Sequence, residues 1–303
     1  MSELDVVTGA TGYSGKYIAR RLLAAGRQVR TLTNHPGRAN PFGNRIDVVP
    51  YHFDQADQLR KSLEGASMVY NTYWVRFPYG RHSFEGAVAN TRLLIRAAEE
   101  AGVRKFVHVS IANPSADSPL AYYRGKAVLE AALSQSALSW AIIRPTVVFG
   151  LEDILINNIA WMVRHLPVFG APGSGDYKLQ PVFVEDLAQI ATDAAQRQEN
   201  VTVDAAGPET YSFNELVQLI ASKLGRRVRI AHVHPTLVYV MTRALGLAVH
   251  DVILTREEID GLMTNLLVSH QPPLGTRQLS RWLEQNAARV GRRYACELDR
   301  HYR

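Results

Sequence analysis

The sequence has almost no cysteine. Cys296, near the C-terminus, is the one thiol in 303 residues, so no disulfide framework and no cysteine-based metal site can form within the chain. That suits a reducing cytosol. No His/carboxylate pair stands at metal-ligand spacing, no segment repeats, and no basic region followed by an apolar one opens the sequence. We therefore expect no metal, no secretion signal and a cytoplasmic location, with peripheral attachment at an inner membrane as the variant. Long apolar runs are also lacking. The most apolar stretch, 235–254, is about as long as a membrane span but is broken by Arg243, His250 and Asp251. A buried or partner-facing helix is the expectation there, and a membrane-surface helix the alternative. Lysine is scarce beside arginine.

What is present is the composition of an ordinary globule. Hydrophobic residues make up 47% and charged residues 20% of the chain, so disorder is not expected. The formal net charge of +6 leans toward phosphate-bearing ligands, anionic lipid or an acidic partner protein. The basic residues are scattered, which speaks against nucleic acid. Arg289, Arg292, Arg293, Arg300 and Arg303 do cluster, and a solvated tail is the plainer reading of them.

The chain is organised around its first fifteen residues. Leu4-Asp5-Val6-Val7 is a short apolar run, Thr8-Gly9-Ala10-Thr11-Gly12-Tyr13-Ser14-Gly15 follows at once, and Lys16 to Ala25 has helical periodicity with Gly26 as its stop. The order is strand, glycine turn, helix. Gly9 allows the tight turn, Gly12 lets backbone approach a ligand, and Gly15 lets helix and strand pack closely. The free N–H groups of that helix would face a pyrophosphate. A Gly-rich turn of any α/β protein is the plainer reading, and the position between first strand and first helix argues against it.

Further strand–helix units follow. Gln28 to Thr33, Ile46 to Val49, Ser67 to Asn71, Lys105 to Ser110 and the run from Trp140 toward Gly150 read as strands, and Phe84 to Ala101 as a long helix. The alternation argues a parallel, doubly wound α/β sheet with its C-terminal strand ends along one edge. Asn71 and Thr72 end the fourth strand on that edge, and Tyr73 and Trp74 either wall a pocket there or merely pack. Ser110 ends the fifth strand. Tyr122 and Lys126 follow four apart at the start of the next helix, on one face. An ammonium beside a phenol favours phenolate, so the tyrosine could exchange a proton with an alcohol or carbonyl oxygen. A serine hydroxyl opposite would hold the same oxygen.

The turn Thr8-Gly-x-Thr-Gly-x-x-Gly15 resembles the fingerprint of extended and atypical short-chain dehydrogenases/reductases. Ser110, Tyr122 and Lys126 resemble their catalytic set, although Ile111 stands where relatives often carry a second serine. Asn90-Thr91, Arg144-Pro145-Thr146 and Gln180-Pro-Val-Phe-Val-Glu-Asp186 match further family segments. The resemblance covers nearly the whole chain, loosely in the last sixty residues, and is narrower with atypical reductases related to the NAD(P)H-binding accessory subunit of respiratory complex I.

The resemblance implies a Rossmann-type sheet over about 1–150, with elements returning near 180–205, and a smaller, interleaved, mostly helical substrate or partner region over 151–303. It implies a cofactor held by Gly9, Thr11, Gly12, Tyr13, Ser14, Gly15, Asn34, His35, Arg38, Asp54, Asn71, Thr72, Lys126, Pro145 and Val147. The segment after the second strand, Thr33 to Arg38, has no carboxylate and carries His35 and Arg38, which favours NADP(H) over NAD(H). Asn34 departs from the arginine common in relatives. Asp54 would contact adenine, or else cap the helix beginning near Gln55, and Asp186 would cap the helix after it.

Beyond 150, Pro167 to Gly175 reads as a loop and a plausible substrate lid, Ser212 and Glu215 as a capping box, and Thr255 as the start of another capped helix. Hydride transfer to a small carbonyl, with Tyr122 as acid/base, is the expected function. A non-catalytic NAD(P)H-binding assembly or sensor protein is the alternative, with a protein partner or a membrane surface met through 235–254 and the basic C-terminus. A nucleotide-sugar epimerase or dehydratase is weaker, because no nucleotide-sugar clamp is recognisable. The number of copies that associate stays open.

Overall fold

The computed structural model describes residues 3–302; Arg303, the last of the basic cluster, lies outside the described residues. Along the chain run β1 (Leu4–Thr8), α1 (Ser14–Ala24), β2 (Gln28–Thr33), β3 (Ile46–Pro50), α2 (Ala56–Leu63), β4 (Ala66–Asn71), α3 (Phe84–Glu100), β5 (Lys105–Val109), α4 (Ala121–Ser134) and β6 (Ser139–Pro145). There follow β7 (Val147–Phe149), α5 (Leu155–His165), β8 (Val168–Pro172), β9 (Lys178–Leu179), β10 (Pro181–Phe183), α6 (Val184–Ala195) and β11 (Val201–Ala205). The last part holds β12 (Tyr211–Ser212), α7 (Phe213–Lys223), β13 (Arg229–Val233), α8 (Pro235–Val249), α9 (Arg256–Leu262), α10 (Leu279–Asn286) and α11 (Glu297–His301). The chain divides into two compact units, Met1–Pro145 with Val184–Ala205, and Thr146–Phe183 with Ala206–Arg303.

The first unit is built on a seven-stranded sheet in the order β11-β6-β5-β4-β1-β2-β3, parallel throughout. Its strands are apolar because helices cover both faces. Val6, Val7, Val69, Phe106, Val107 and Ile143 are wholly buried. The order reverses direction between β1 and β4, so those two C-terminal ends flank the crevice where ligands bind in open α/β sheets. Buried Asp5 in β1 is gripped by both arms of Arg27, at 2.7 and 2.6 Å, although burial itself raises the carboxyl's pKa. The returning segment is tied in by Lys105 of β5, whose ammonium donates to the carbonyls of Arg197 and Glu199 at 2.5 and 3.0 Å.

The second unit has a helical core with short strand pairs. β10 pairs with β7, β12 with β9, and β13 with β8. Phe149, Ile156, Phe169, Leu216, Ile220 and Trp282 belong to its core. The expected loop at Pro167 to Gly175 is a strand over Val168–Pro172. Its two prolines fall at the strand's margins, Phe169 and Ala171 are buried, and β13 supplies the parallel partner residue by residue.

Two capping expectations fail. α2 begins at Ala56 behind Gln55, with no side-chain cap, so Asp54 does not close it. Asp186 sits within the first turn of α6, whose first residue is Val184, rather than at the N-cap position before it; there its charge meets the positive end of the helix. The capping boxes at Ser212/Glu215 and Thr255/Glu258 are both formed. Ser212→Ala should remove the bond that the Glu215 N–H donates to Ser212 Oγ, together with the one that Oγ donates to Glu215 Oε2, and cost about 1 kcal/mol. A differential scanning calorimetry transition lowered by roughly 2–4 °C would show it.

Candidate functional site

The site grows from the glycine turn. Gly9 takes φ +67°, a left-handed conformation, and its N–H donates to the Leu32 carbonyl at 2.8 Å. Gly12 N–H closes the turn on the Gly9 carbonyl at 2.8 Å. A Cβ at Gly15 would stand 2.4 Å from that same carbonyl oxygen. Only glycine lets α1 start this close to β1. The helix opens behind Tyr13 with no side-chain cap and no carboxylate in its first turn. Uncapped N–H groups, a positive helix end and a cradle that a side chain would fill suit the pyrophosphate of a dinucleotide. Thr11, Gly12, Tyr13, Ser14 and Gly15 are thus gathered in one turn.

The edge beside that turn is cross-braced through Thr8. Its hydroxyl donates to Asn71 Oδ1 at 3.0 Å and accepts from the N–H groups of Thr72 and Tyr73 at 2.7 and 3.0 Å. Thr72 Oγ1 donates back to the Thr8 carbonyl at 2.6 Å. Asn71 is buried and spends its carbonyl here, which leaves its amide to donate to His108 Nδ1 at 3.1 Å. This fixes the imidazole proton on Nε2. Burial, and secondarily the Lys126 ammonium, hold His108 well below its usual pKa, so it is neutral. Its Nε2 has no hydrogen-bond partner.

At the far end of β2, His35 N–H bonds Thr33 Oγ1 at 3.1 Å and Arg38 N–H bonds the His35 carbonyl at 3.1 Å. The turn therefore brings His35 and Arg38 together behind exposed Asn34. After β3, Tyr51 and Phe53 stack at 4.6 Å between centroids, and Tyr73 leans on both at 5.1 Å. Asp54 is exposed directly after them. Tyr51 is buried in the core of this unit, and Phe53 and Tyr73 pack against the same cluster.

Ser110 stands just past β5 with its N–H on the Ile143 carbonyl at 2.7 Å, and its hydroxyl is buried without a partner. Such an orphan is unusual and points to a missing acceptor. On α4, Lys126 is 2% exposed. Its ammonium donates to the Val109 carbonyl at 2.9 Å and lies 4.5 Å from the centroid of Trp74. Burial pushes its pKa down to about 7, against an opposing pull from Glu130. Glu130 is itself forked by Arg144, at 3.0 and 2.5 Å.

Tyr122, one turn before Lys126 and half-buried, meets Trp74 edge-on at 5.6 Å and Phe84 at 5.8 Å. A Cβ at Gly125 would come within 2.8 Å of Trp74, so glycine there makes room for the indole. Pro145 ends β6, its carbonyl accepting from Ala112 N–H at 2.8 Å. Val147 belongs to the second unit, buried in its core.

One neighbour escaped the sequence reading. His108 is a polar residue inside the apolar run Lys-Phe-Val-His-Val-Ser, which is itself a signal. Trp74, which on sequence either walls a pocket or merely packs, lies with its indole over the lysine. A cavity of about 650 Å³ between α3 and α4, lined by Val88, Arg92, Arg96, Arg124 and Val128 among others, has neither Tyr122 nor Lys126 in its wall.

Residues 9–153 match a family described as NAD(P)H-binding. The first 153 residues thus contain an NAD(P)H-binding domain. The chain is homologous to the mitochondrial "NADH dehydrogenase [ubiquinone] 1 alpha subcomplex subunit 9". It is 27% identical to that of Arabidopsis thaliana over 282 residues, which is 87% of this chain and 70% of the relative. It is 28% identical to that of Rattus norvegicus over 283 residues, 88% of this chain and 74% of the relative. Triphenylmethane reductase from Citrobacter sp., solved with NADP(H), has the same fold. The TM-score is 0.78 at 17% identity, covering 95% of this chain and all (100%) of that one.

Two outcomes follow for the NAD(P)H-binding domain. Gly15→Ala should destabilise it by about 1–3 kcal/mol through overpacking and weaken nucleotide binding, both visible in melts with and without ligand. Lys126 titrates near 7 folded but near 10.4 unfolded. The unfolded chain therefore binds the extra proton between those values, and stability rises with pH from about 7 toward 10 by up to about 1.4 kcal/mol per pH unit. Urea melts of the wild type should show that slope, and Lys126→Met should flatten it.

Proposed function

We propose that this chain is an NADP(H)-dependent oxidoreductase acting on a small carbonyl or alcohol. The observation that carries the reading is the buried ammonium of Lys126 on the same helix face as Tyr122, with the orphaned hydroxyl of Ser110 at the strand end that Lys126 reaches. When bound, the nicotinamide supplies or accepts the hydride. Tyr122 gives its phenolic proton to the carbonyl oxygen as that oxygen gains charge, or takes one from an alcohol in the reverse direction. Lys126 steadies the phenolate left on Tyr122. Ser110 donates to the same substrate oxygen, which answers the missing partner of its hydroxyl. His35 and Arg38 face the ribose 2′-phosphate, and the absence of a carboxylate from Thr33 to Arg45 supports NADP(H) over NAD(H). Asp54, exposed beside Phe53, would contact adenine. Gly9 to Gly15 would hold the pyrophosphate, while Asn71, Thr72 and Pro145 would complete the nicotinamide side.

A second reading is supported by the subunit relatives: the chain binds NAD(P)H without turnover and serves a protein assembly in which occupancy signals or stabilises. Place in the cell follows from which reading holds, cytoplasmic for the first and at an inner membrane for the second.

Thermal melts of wild type, Arg38→Ala and Tyr122→Phe with NADPH and NADH separate these readings. NADPH at a hundred times its Kd should stabilise wild type by about 2.7 kcal/mol. Arg38→Ala should lose most of the NADPH preference, and Tyr122→Phe should bind like wild type. In a panel of aldehydes, ketones and quinones, Tyr122→Phe should then fall about 10²–10⁴-fold in kcat. No turnover by either protein, with NADPH stabilising both, favours the assembly reading.

A further inference from the structure

α8 breaks the ordinary rule for a surface helix. Its inner side, Val238, Thr242, Leu245, Gly246 and Val249, is turned inward or half-buried. The outward side would normally be polar. Instead it shows Leu237, Val240, Met241, Ala244, Leu247 and Ala248, the spacing of one helical stripe. Leu237, Val240 and Met241 are 52%, 54% and 51% exposed, and Leu247 is 79% exposed. Only Thr236 and Arg243 interrupt the face, both along one margin. Of the buried or partner-facing helix expected over 235–254, full burial is not what is found: α8 is apolar on both sides and covered on one.

Along the chain leading into and through this stripe the charge has one sign, while α9, which also packs against α8, carries Glu257, Glu258 and Asp260. From Leu216 to His250 there is no aspartate or glutamate. Lys223 in that span is paired with Glu284 at 3.5 Å. Arg226, Arg227 and Arg229 are exposed at and before β13, the strand that leads into α8, and Arg243 is exposed on α8 itself. β8, on which α8 packs, adds exposed Val168, whose register partner on β13 is Arg229. Exposed Leu166 precedes it. No helix among the described residues is long and apolar enough to cross a membrane. An apolar stripe one side chain deep, with arginines beside it, instead fits a helix lying in the plane of a bilayer surface.

We infer that α8 is a membrane-surface helix that seats the second unit on anionic lipid. Leu237, Val240, Met241 and Leu247 enter the boundary between headgroups and acyl chains, and Arg226, Arg227, Arg229 and Arg243 meet lipid phosphates and carboxylates. A second copy is the poorer occupant. The helix is about 22 Å long at 1.5 Å per residue, so one face covers on the order of 200 Å², well under the roughly 800 Å² per partner of a stable dimer. Lipid demands no matching surface.

The test is flotation of the full chain with phosphatidylcholine vesicles, with and without 30 mol% phosphatidylserine (roughly the anionic load that gives a strong surface potential). Wild type should float with the phosphatidylserine vesicles and be released by salt. The double variant Met241→Glu/Leu247→Glu should reduce the bound fraction about tenfold, and both positions are exposed enough to leave the melt unchanged. Arg226→Gln/Arg227→Gln/Arg229→Gln should weaken binding severalfold on anionic vesicles. Binding unmoved by the arginine changes overturns the anionic assignment. Absence of flotation, or flotation that the double variant retains, overturns the proposal. So does a dimer in light scattering that the double variant abolishes while vesicles are ignored. NADPH melts run alongside report the nucleotide site independently, since no α8 residue belongs to it.

Discussion

The structure of the first unit depends on one missing methyl group. With hydrogen in place of Cβ at Gly15, the first turn of α1 comes down onto the Gly9 carbonyl, where a Cβ would stand only 2.4 Å away. That approach aims the uncapped N–H groups of α1 over the end of β1. The β1–β4 ladder puts Thr8 beside the β4 end, where its hydroxyl serves Asn71, Thr72 and Tyr73 at once. A hydroxyl with this many bonds fixes the edge of a sheet more firmly than apolar packing does, because each bond has a direction. Positions farther out inherit that order. Asn71 orients His108, His108 lies under the Lys126 charge, and Lys126 lies under Trp74.

Much of this was legible in the sequence. A parallel sheet buried on both faces leaves apolar runs, and each run sat where the alternation placed it. The glycine spacing and the pair at 122 and 126 depend on local periodicity, which survives folding unchanged. The nucleotide-binding part was legible for the same reason: its backbone demands are met by residue types at short range. Other features were not local. Asp54 and Asp186 are good capping residues by type, but the helices began one to three residues away from where a cap was needed. Whether an aspartate caps depends on where the chain turns, which neighbours in space decide.

The misreadings share a cause. Pro167 to Gly175 is rich in turn formers, yet β13 offers a partner more than fifty residues later, and pairing overrides propensity. Composition likewise showed 235–254 to be apolar without showing which side is covered. Periodicity alone cannot distinguish the two faces of a helix that is apolar all round. The same limit applies to Trp74, where type gave aromaticity and only the fold gave the ammonium beneath it.

The return of the chain to its own first sheet has a consequence for how the protein is made. β11 supplies the last strand beside β6, and the carbonyls before it receive Lys105, yet both arrive after the whole of β7 to β10. During synthesis, the first 145 residues emerge with the β6 edge open and the Lys105 ammonium unsatisfied. An open parallel edge is a template for wrong pairing. The ribosome must add about sixty more residues, at about 5–20 per second, before that edge closes. The nucleotide-binding sheet is therefore sealed only after several seconds of exposure, and its natural boundary in time is Ala205 rather than Pro145.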